Sequence, residues 1–252
     1  MTHASLAEAF DCRLGTAGVT AITATFVDAP TILLAGDPGT GKSAIAANLA
    51  AQIGRPAAGT GSLVRATAAA SGMTLAEYNR HLATNPDADV ALDVAAATLV
   101  ARGDVAVFES RLSGHLGGWL RSLGRRGLIS ILLRCEPREQ ALRLLAREAS
   151  PSLFDEVEPL LTDALSVRSL DECIAPLRVF HCIAARKAVE VIEAQAARTR
   201  TDRERLRALY GIACDDPSAF DATLDTTHLT VQQCADVVMR LSVRERFKAR
   251  CA

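Results

Sequence analysis

The segment Gly36-Asp37-Pro38-Gly39-Thr40-Gly41-Lys42-Ser43 constrains this chain more than any other, because it fits G-x-x-x-x-G-K-[ST] and every position has a physical job. Its glycines let backbone N–H groups turn inward around phosphates. Lys42 is placed to reach β- and γ-phosphate oxygens, Ser43 to hold Mg²⁺, and the following helix to aim its positive end at the anion. The flanks suit the motif. Thr31 to Ala35 (TILLA) reads as a buried strand, and Ser43 to Ile53 repeats apolar residues at helical spacing. Strand, phosphate loop and helix together predict a site for a nucleoside triphosphate such as ATP, with Mg²⁺. So far the same holds for motors, switches and transporters.

Further strands follow the same plan. Val105 to Glu109 (VAVFE) and Leu128 to Arg134 (LISILLR) are continuous apolar runs separated by helical segments, and Ala222 to Asp225 is a brief last strand. Alternation of this kind predicts an α/β fold, a three-layer P-loop sandwich with a five-stranded parallel sheet. Alanine recurs everywhere and aromatics make up only 4% of the 252 residues, which favours closely packed helices. Helix starts are marked by Thr74 with Glu77, Ser152 with Asp155, Ser169 with Glu172 and Thr230 with Gln233. Pro137 opens the helix that runs to Glu148, where its missing N–H costs nothing. Residues 1–30 carry no nameable motif, and residues 149–190 read as a helical insertion.

The formal charge of −1 supplies no general positive field for nucleic acid or a membrane surface. Seven cysteines (Cys12, Cys135, Cys173, Cys182, Cys214, Cys234, Cys251) are odd in number and contain no C-x-x-C pair; they read as small apolar fillers in a reducing compartment. The opening residues lack a basic segment followed by an apolar run, and no stretch reaches the roughly 20 apolar residues that a membrane span needs. A soluble cytoplasmic protein is the expectation.

A triphosphate site of this kind also needs a carboxylate for the magnesium shell at the end of a neighbouring strand, and Glu109 stands there. Phosphoryl transfer spreads negative charge over the moving group, so positioned cations stabilise it. Residues 198–207 (RTRTDRERLR) hold five arginines. Such a run alone is more often a solvated helix face than a functional cluster. His81, His115 and His181 lack metal-ligand spacing, and Trp119 reads as core.

The order of the P-loop, Ser62 to Arg65 (SLVR), Gly72-Met73-Thr74-Leu75, Asn85-Pro86, Asp89 and Asp93, and Glu109-Ser110-Arg111-Leu112 resembles the cytidylate kinases, especially the archaeal type. Arg198, Asp202 and Arg205 match that family's lid spacing, and Tyr210-Gly211-Ile212 with Asp215-Asp216 and Asp225-Thr226-Thr227 match its C-terminal stretch. The likeness covers residues 31–148 and 195–242. It implies a nucleoside monophosphate kinase using ATP and Mg²⁺, with CMP or dCMP as acceptor. Gly36 through Ser43 would bind the donor, and Ser43 and Glu109 the metal. Arg65 and Arg111 would bind the acceptor phosphate, with Ser62 and Asp93 lining the acceptor site. Lys42, Arg198 and Arg205 would act on the transferring phosphates, and Asp202 would orient the arginines or touch the acceptor ribose. Arg147 is a further candidate for the lid set.

The implied single domain has its core at about 31–60, 101–148 and 211–246, an acceptor-binding flap at about 60–100, a lid at about 149–210, and an N-terminal extension. Three departures stand out. Ser110 replaces a common glycine, Val90 and Val94 flank Asp93 where the family tends to place arginines, and residues 149–190 match nothing. An acceptor other than CMP, such as a modified nucleotide, therefore stays open, as does a nucleotide-gated module without transferase activity. The insertion packs on the core, forms a homodimer, or reshapes the acceptor site. Nucleic-acid binding rests on the 198–207 run alone and ranks last.

Overall fold

A computed structural model describes residues 5–148, 151–161, 169–180 and 182–251, without the side chains of 148, 151–153 and 244–251. The sheet is five-stranded and wholly parallel: β1 Thr31–Ala35, β2 Ala57–Gly59, β3 Val107–Glu109, β4 Leu128–Arg134 and β5 Ala222–Asp225, in the order β2-β3-β1-β4-β5. Strand β2 was not legible in the sequence, and β3 begins two residues later than VAVFE suggests.

Side chains alternate across this sheet with period two, so each strand feeds two cores. Leu33 and Phe108 point to one face, where they meet α1 (Leu6–Thr23), α5 (Pro86–Ala101) and α6 (Ser113–Ser122). Ile32, Leu34, Val107, Ile129 and Ile131 point to the other, against α2 (Lys42–Ile53) and α11 (Val231–Cys251). Two helical layers around a parallel sheet match the expected sandwich.

Residues 1–30 offer no nameable motif, yet helix α1 lies among them. Phe10 is fully buried, with its ring edge-on to Trp119 at 4.9 Å and to Tyr210 at 6.2 Å. Burying such a ring contributes about 2–3 kcal/mol, so α1 belongs to the core. Gly15, at φ 58°, bends the helix and breaks the periodicity that would have revealed it. Trp119 is core, as expected.

Between β2 and β3 lie α3 (Thr60–Ala70), α4 (Leu75–Thr84) and α5. Thr74 and Glu77 form a reciprocal capping box on α4, and the Asn85 side chain caps α5, where Pro86 takes the first position.

Between β4 and β5 lie α7 (Pro137–Glu148), α8 (Pro151–Val157), α9 (Leu170–Ile174) and the 28-residue α10 (Ile183–Tyr210). Ser169 caps α9 as expected, but α8 already begins at Pro151, so Ser152 lies within it rather than ahead of it. This insertion has a core of its own, in which Leu142 and Leu145 of α7, Val157, Cys173, Ile174 and Leu177 pack against Ala185, Ala188 and Ile192 of α10.

Cys173, Cys214 and Cys234 are buried fillers, whereas Cys12 and Cys182 are exposed. His181 and the side chain of Cys251 fall outside the described residues. Among the described residues, no helix is long and apolar enough to cross a membrane.

Candidate active site

The phosphate loop leaves the C-terminal end of β1 and closes on α2. Gly36, at φ 149°, passes so close to β4 that a Cβ there would lie 2.6 Å from the Leu133 carbonyl oxygen, so only glycine fits. Neighbouring elements brace the loop: the Gln140 side chain donates to the Pro38 carbonyl (3.2 Å) and the Thr226 hydroxyl to the Thr40 carbonyl (3.1 Å). Lys42 Nζ donates to the carbonyls of Gly36 (2.6 Å) and Asp37 (2.9 Å). Burial, reinforced by the nearby charge of Arg111, pushes the Lys42 ammonium down from 10.5 to about 8. The Arg147 charge reaches Lys42 and pushes the same way.

Ser43 opens α2 beside the end of β3, and its Oγ lies 3.1 and 2.9 Å from the two Glu109 carboxylate oxygens. Gly59 makes this possible, because any Cβ there would collide with Glu109 Cγ. A hydroxyl and a carboxylate converging beside a phosphate loop are the hard oxygen donors that Mg²⁺ takes.

Arg111, just beyond β3, reaches three partners: Asp37 Oδ1 (3.1 Å), Asp202 Oδ2 (3.0 Å) and the Thr199 hydroxyl (3.3 Å). Arg203 Nη2 reaches Asp37 Oδ2 (2.7 Å) and Asp215 Oδ2 (3.0 Å). Arg200 pairs with Asp171 of α9 (3.0 Å). Asp37, Arg111, Thr199, Arg200, Arg203 and Asp215 line a cavity of about 370 Å³ over the ends of β1 and β4, which Ser169, Leu170 and Asp171 of the insertion also line. The insertion therefore both packs on the core and walls this cavity.

The structure sorts the expected site residues into three groups. Lys42, Ser43, Glu109, Arg111 and Asp202 gather at the phosphate loop. Ser62 and Arg65 sit on α3: the Ser62 hydroxyl exchanges hydrogen bonds with the Gly59 backbone (3.0 and 2.7 Å), and Arg65 is exposed. Arg198, Arg205 and Asp93 are not brought to the loop. Arg198 is exposed outside the cavity lining. Arg205 pairs with the buried Asp89 of α5, and Tyr210 donates to Asp93 (2.7 Å).

Helical phase explains this sorting. At 100° per residue, Ala196, Thr199, Arg200 and Arg203 share one face of α10, which meets the loop, while Arg198 and Arg205 stand nearly opposite. Spacing alone therefore passed over Arg200 and Arg203 and gave Asp37 only its place in the loop, though phase could have found the two arginines.

Ser110 turns inward, its Oγ accepting from the Leu112 N–H (3.1 Å), so it shapes the turn into α6 and stays out of the cavity. Val90 packs in the core beside α1, and Val94 packs against that core.

Asp93 carries a testable consequence. Burial pushes its carboxyl up from 3.8 to about 7, against the opposing pull of the Tyr210 hydrogen bond and the Arg205 charge. A carboxyl raised in the folded state holds its proton there, so its contribution is complete below about pH 4 and is lost as pH rises through about 7. Thermal melts across that window should show wild type losing on the order of 4 kcal/mol relative to Asp93→Asn. A constant difference between the two proteins would refute the assignment.

Similarity to known proteins fits this geometry. A family model described as an AAA domain matches residues 32–158. The cytidylate kinase of Pyrobaculum aerophilum is 30% identical over 206 residues, covering 82% of this chain and 89% of that protein. The cytidylate kinase of Sulfolobus acidocaldarius is 25% identical over 216 residues, covering 86% and 96%. Among solved structures, an uncharacterized protein from Eubacterium ventriosum superposes with a TM-score of 0.52 over 84% of this chain and 98% of that one, at 11% identity; the likeness is one of fold.

Proposed function

This chain belongs to the cytidylate kinase family, and on that premise we propose that this nucleoside monophosphate kinase transfers the γ-phosphoryl group of ATP, with Mg²⁺, to CMP or dCMP. The observation that carries the reading is the convergence of Lys42, the Ser43–Glu109 pair, Arg111 and Arg203 on one phosphate loop.

In this reading the donor triphosphate lies in the loop, and Lys42 exchanges the carbonyls of Gly36 and Asp37 for phosphate oxygens. Ser43 and Glu109 would hold Mg²⁺, which would supply positive charge to offset that of the donor phosphates. Arg111 and Arg65 take the acceptor phosphate, because a dianion beside a triphosphate needs forked cations to offset the repulsion. Ser62 lines the acceptor side. Residues 60–100 serve as the flap and 149–210 as the lid, whose closure excludes water and favours transfer over hydrolysis. An acceptor phosphate oxygen forms the new P–O bond as the β–γ bridge breaks, and ADP leaves. The role at the transferring phosphates passes from Arg198 and Arg205 to Arg200 and Arg203, while Asp93 and Arg205 join α5 to α10.

A second reading, a different or modified nucleotide as acceptor, is favoured by one observation: residues 169–171 of the unmatched insertion wall the cavity. ADP release with a panel of CMP, dCMP, UMP, AMP and unphosphorylated nucleosides separates the two. CMP or dCMP should give the highest kcat/KM. Turnover of another acceptor with both cytidylates inert would favour the second reading. Nucleotide binding without transfer to any acceptor would point to a gated module.

A further inference from the structure

We propose that Asp37 is a positioning residue that holds Arg111 and Arg203 at the mouth of the phosphate loop until a phosphoryl group takes its place. The inference rests on the kinase reading above and extends it to a side chain that the motif leaves unspecified.

The geometry is that of a phosphate stand-in. Asp37 offers one oxygen to each arginine, Oδ1 to Arg111 at 3.1 Å and Oδ2 to Arg203 at 2.7 Å. A single anionic group thus joins two cations from separate elements, the turn after β3 and helix α10, as a bound phosphate group would. Its backbone carbonyl also accepts from Lys42, so all three cations converge on one loop residue.

Each arginine has a second, private carboxylate away from the loop. Arg111 has Asp202 at 3.0 Å, and Arg203 has Asp215 at 3.0 Å. Asp37 can therefore release both without leaving either cation unpaired. Without Asp37, however, nothing on the loop offsets the repulsion between the two guanidinium groups, and each settles onto its private partner. The cations then have to be gathered again during each transfer, which costs rate.

The same carboxylate stands beside the place of the donor phosphates and repels them in the ground state. Removing its charge should consequently move binding and turnover in opposite directions. Asp37→Asn is nearly isosteric, sits in a part-exposed loop and leaves the loop backbone intact. Calorimetry with inorganic tripolyphosphate should give a Kd about fivefold lower than wild type. Under saturating substrates, kcat should fall about tenfold. Hydrogen exchange of residues 196–207 in the nucleotide-free protein should quicken, because α10 loses its tie to the loop.

A merely structural role would weaken tripolyphosphate binding and lower kcat together, and that outcome overturns the proposal. Unchanged exchange of residues 196–207 with unchanged affinity also overturns it. Should wild type transfer phosphate to no nucleoside monophosphate, the function reading fails by itself, and the affinity and exchange measurements still decide the role of Asp37.

Discussion

Lys42→Ala is expected to lower kcat about a thousandfold, equivalent to about 4 kcal/mol of transition-state stabilisation. The lysine stands at the N-terminus of α2 with its ammonium drawn back over the loop onto two carbonyls, where incoming phosphates replace those acceptors. Because burial and the Arg111 charge push it down to about 8, its positive form prevails below that pH and fades above it. Donor affinity of the free enzyme should therefore weaken as pH rises past about 8, and the weakening should be absent in Lys42→Ala. Initial-rate kinetics and calorimetry from pH 6.5 to about 9.5 read both effects. Retention of more than a tenth of wild-type kcat would remove Lys42 from the transfer step.

Arg203→Ala and Arg205→Ala should fail in different ways, although the two residues are neighbours in one run. Arg203 is part-exposed and faces the loop, so its loss should cut kcat about a hundredfold with little change in thermal stability. Arg205 faces the core and pairs with Asp89, which is 3% exposed. Truncating it strands a buried carboxylate, at a cost of about 3 kcal/mol of stability. Urea melts and steady-state kinetics on the two variants test the division. The opposite pattern, with Arg205→Ala stable and inactive and Arg203→Ala active, would restore the assignment that spacing alone suggests.

That contrast shows what a sequence can and cannot convey. The phosphate loop was legible because its glycines, Lys42 and Ser43 each have a fixed task in cradling phosphates. Strands β1, β3 and β4 were legible as apolar runs, since strands covered on both faces must be apolar throughout. Strand β2 was hidden because Ala57-Ala58-Gly59 has neither branched nor aromatic side chains, its position being set by the close packing of Gly59 on Glu109. Capping at Thr74, Ser169 and Thr230 was readable from local side-chain chemistry.

The face that a 28-residue helix turns to the loop is a different kind of fact. It depends on how Ala185, Ala188 and Ile192 seat α10 on the insertion core, and on how Leu206 and Tyr210 seat its far end beside α1. Both contacts are tertiary. A spacing match to Arg198, Asp202 and Arg205 falls on one helix, on which Asp202 reaches Arg111, but it could not fix the rotation. The hydrogen bond that Asp93 accepts is hidden for the same reason, since its partner Tyr210 lies 117 residues along the chain.

The most direct measurement is a single-turnover reaction of the full chain with Mg²⁺, γ-labelled ATP and excess CMP, quenched and resolved by chromatography. The account expects the label in CDP, with the rate falling about a thousandfold in Lys42→Ala and about a hundredfold in Arg203→Ala. Label recovered only as inorganic phosphate, or transfer to CMP that proceeds unchanged in both variants, would contradict it.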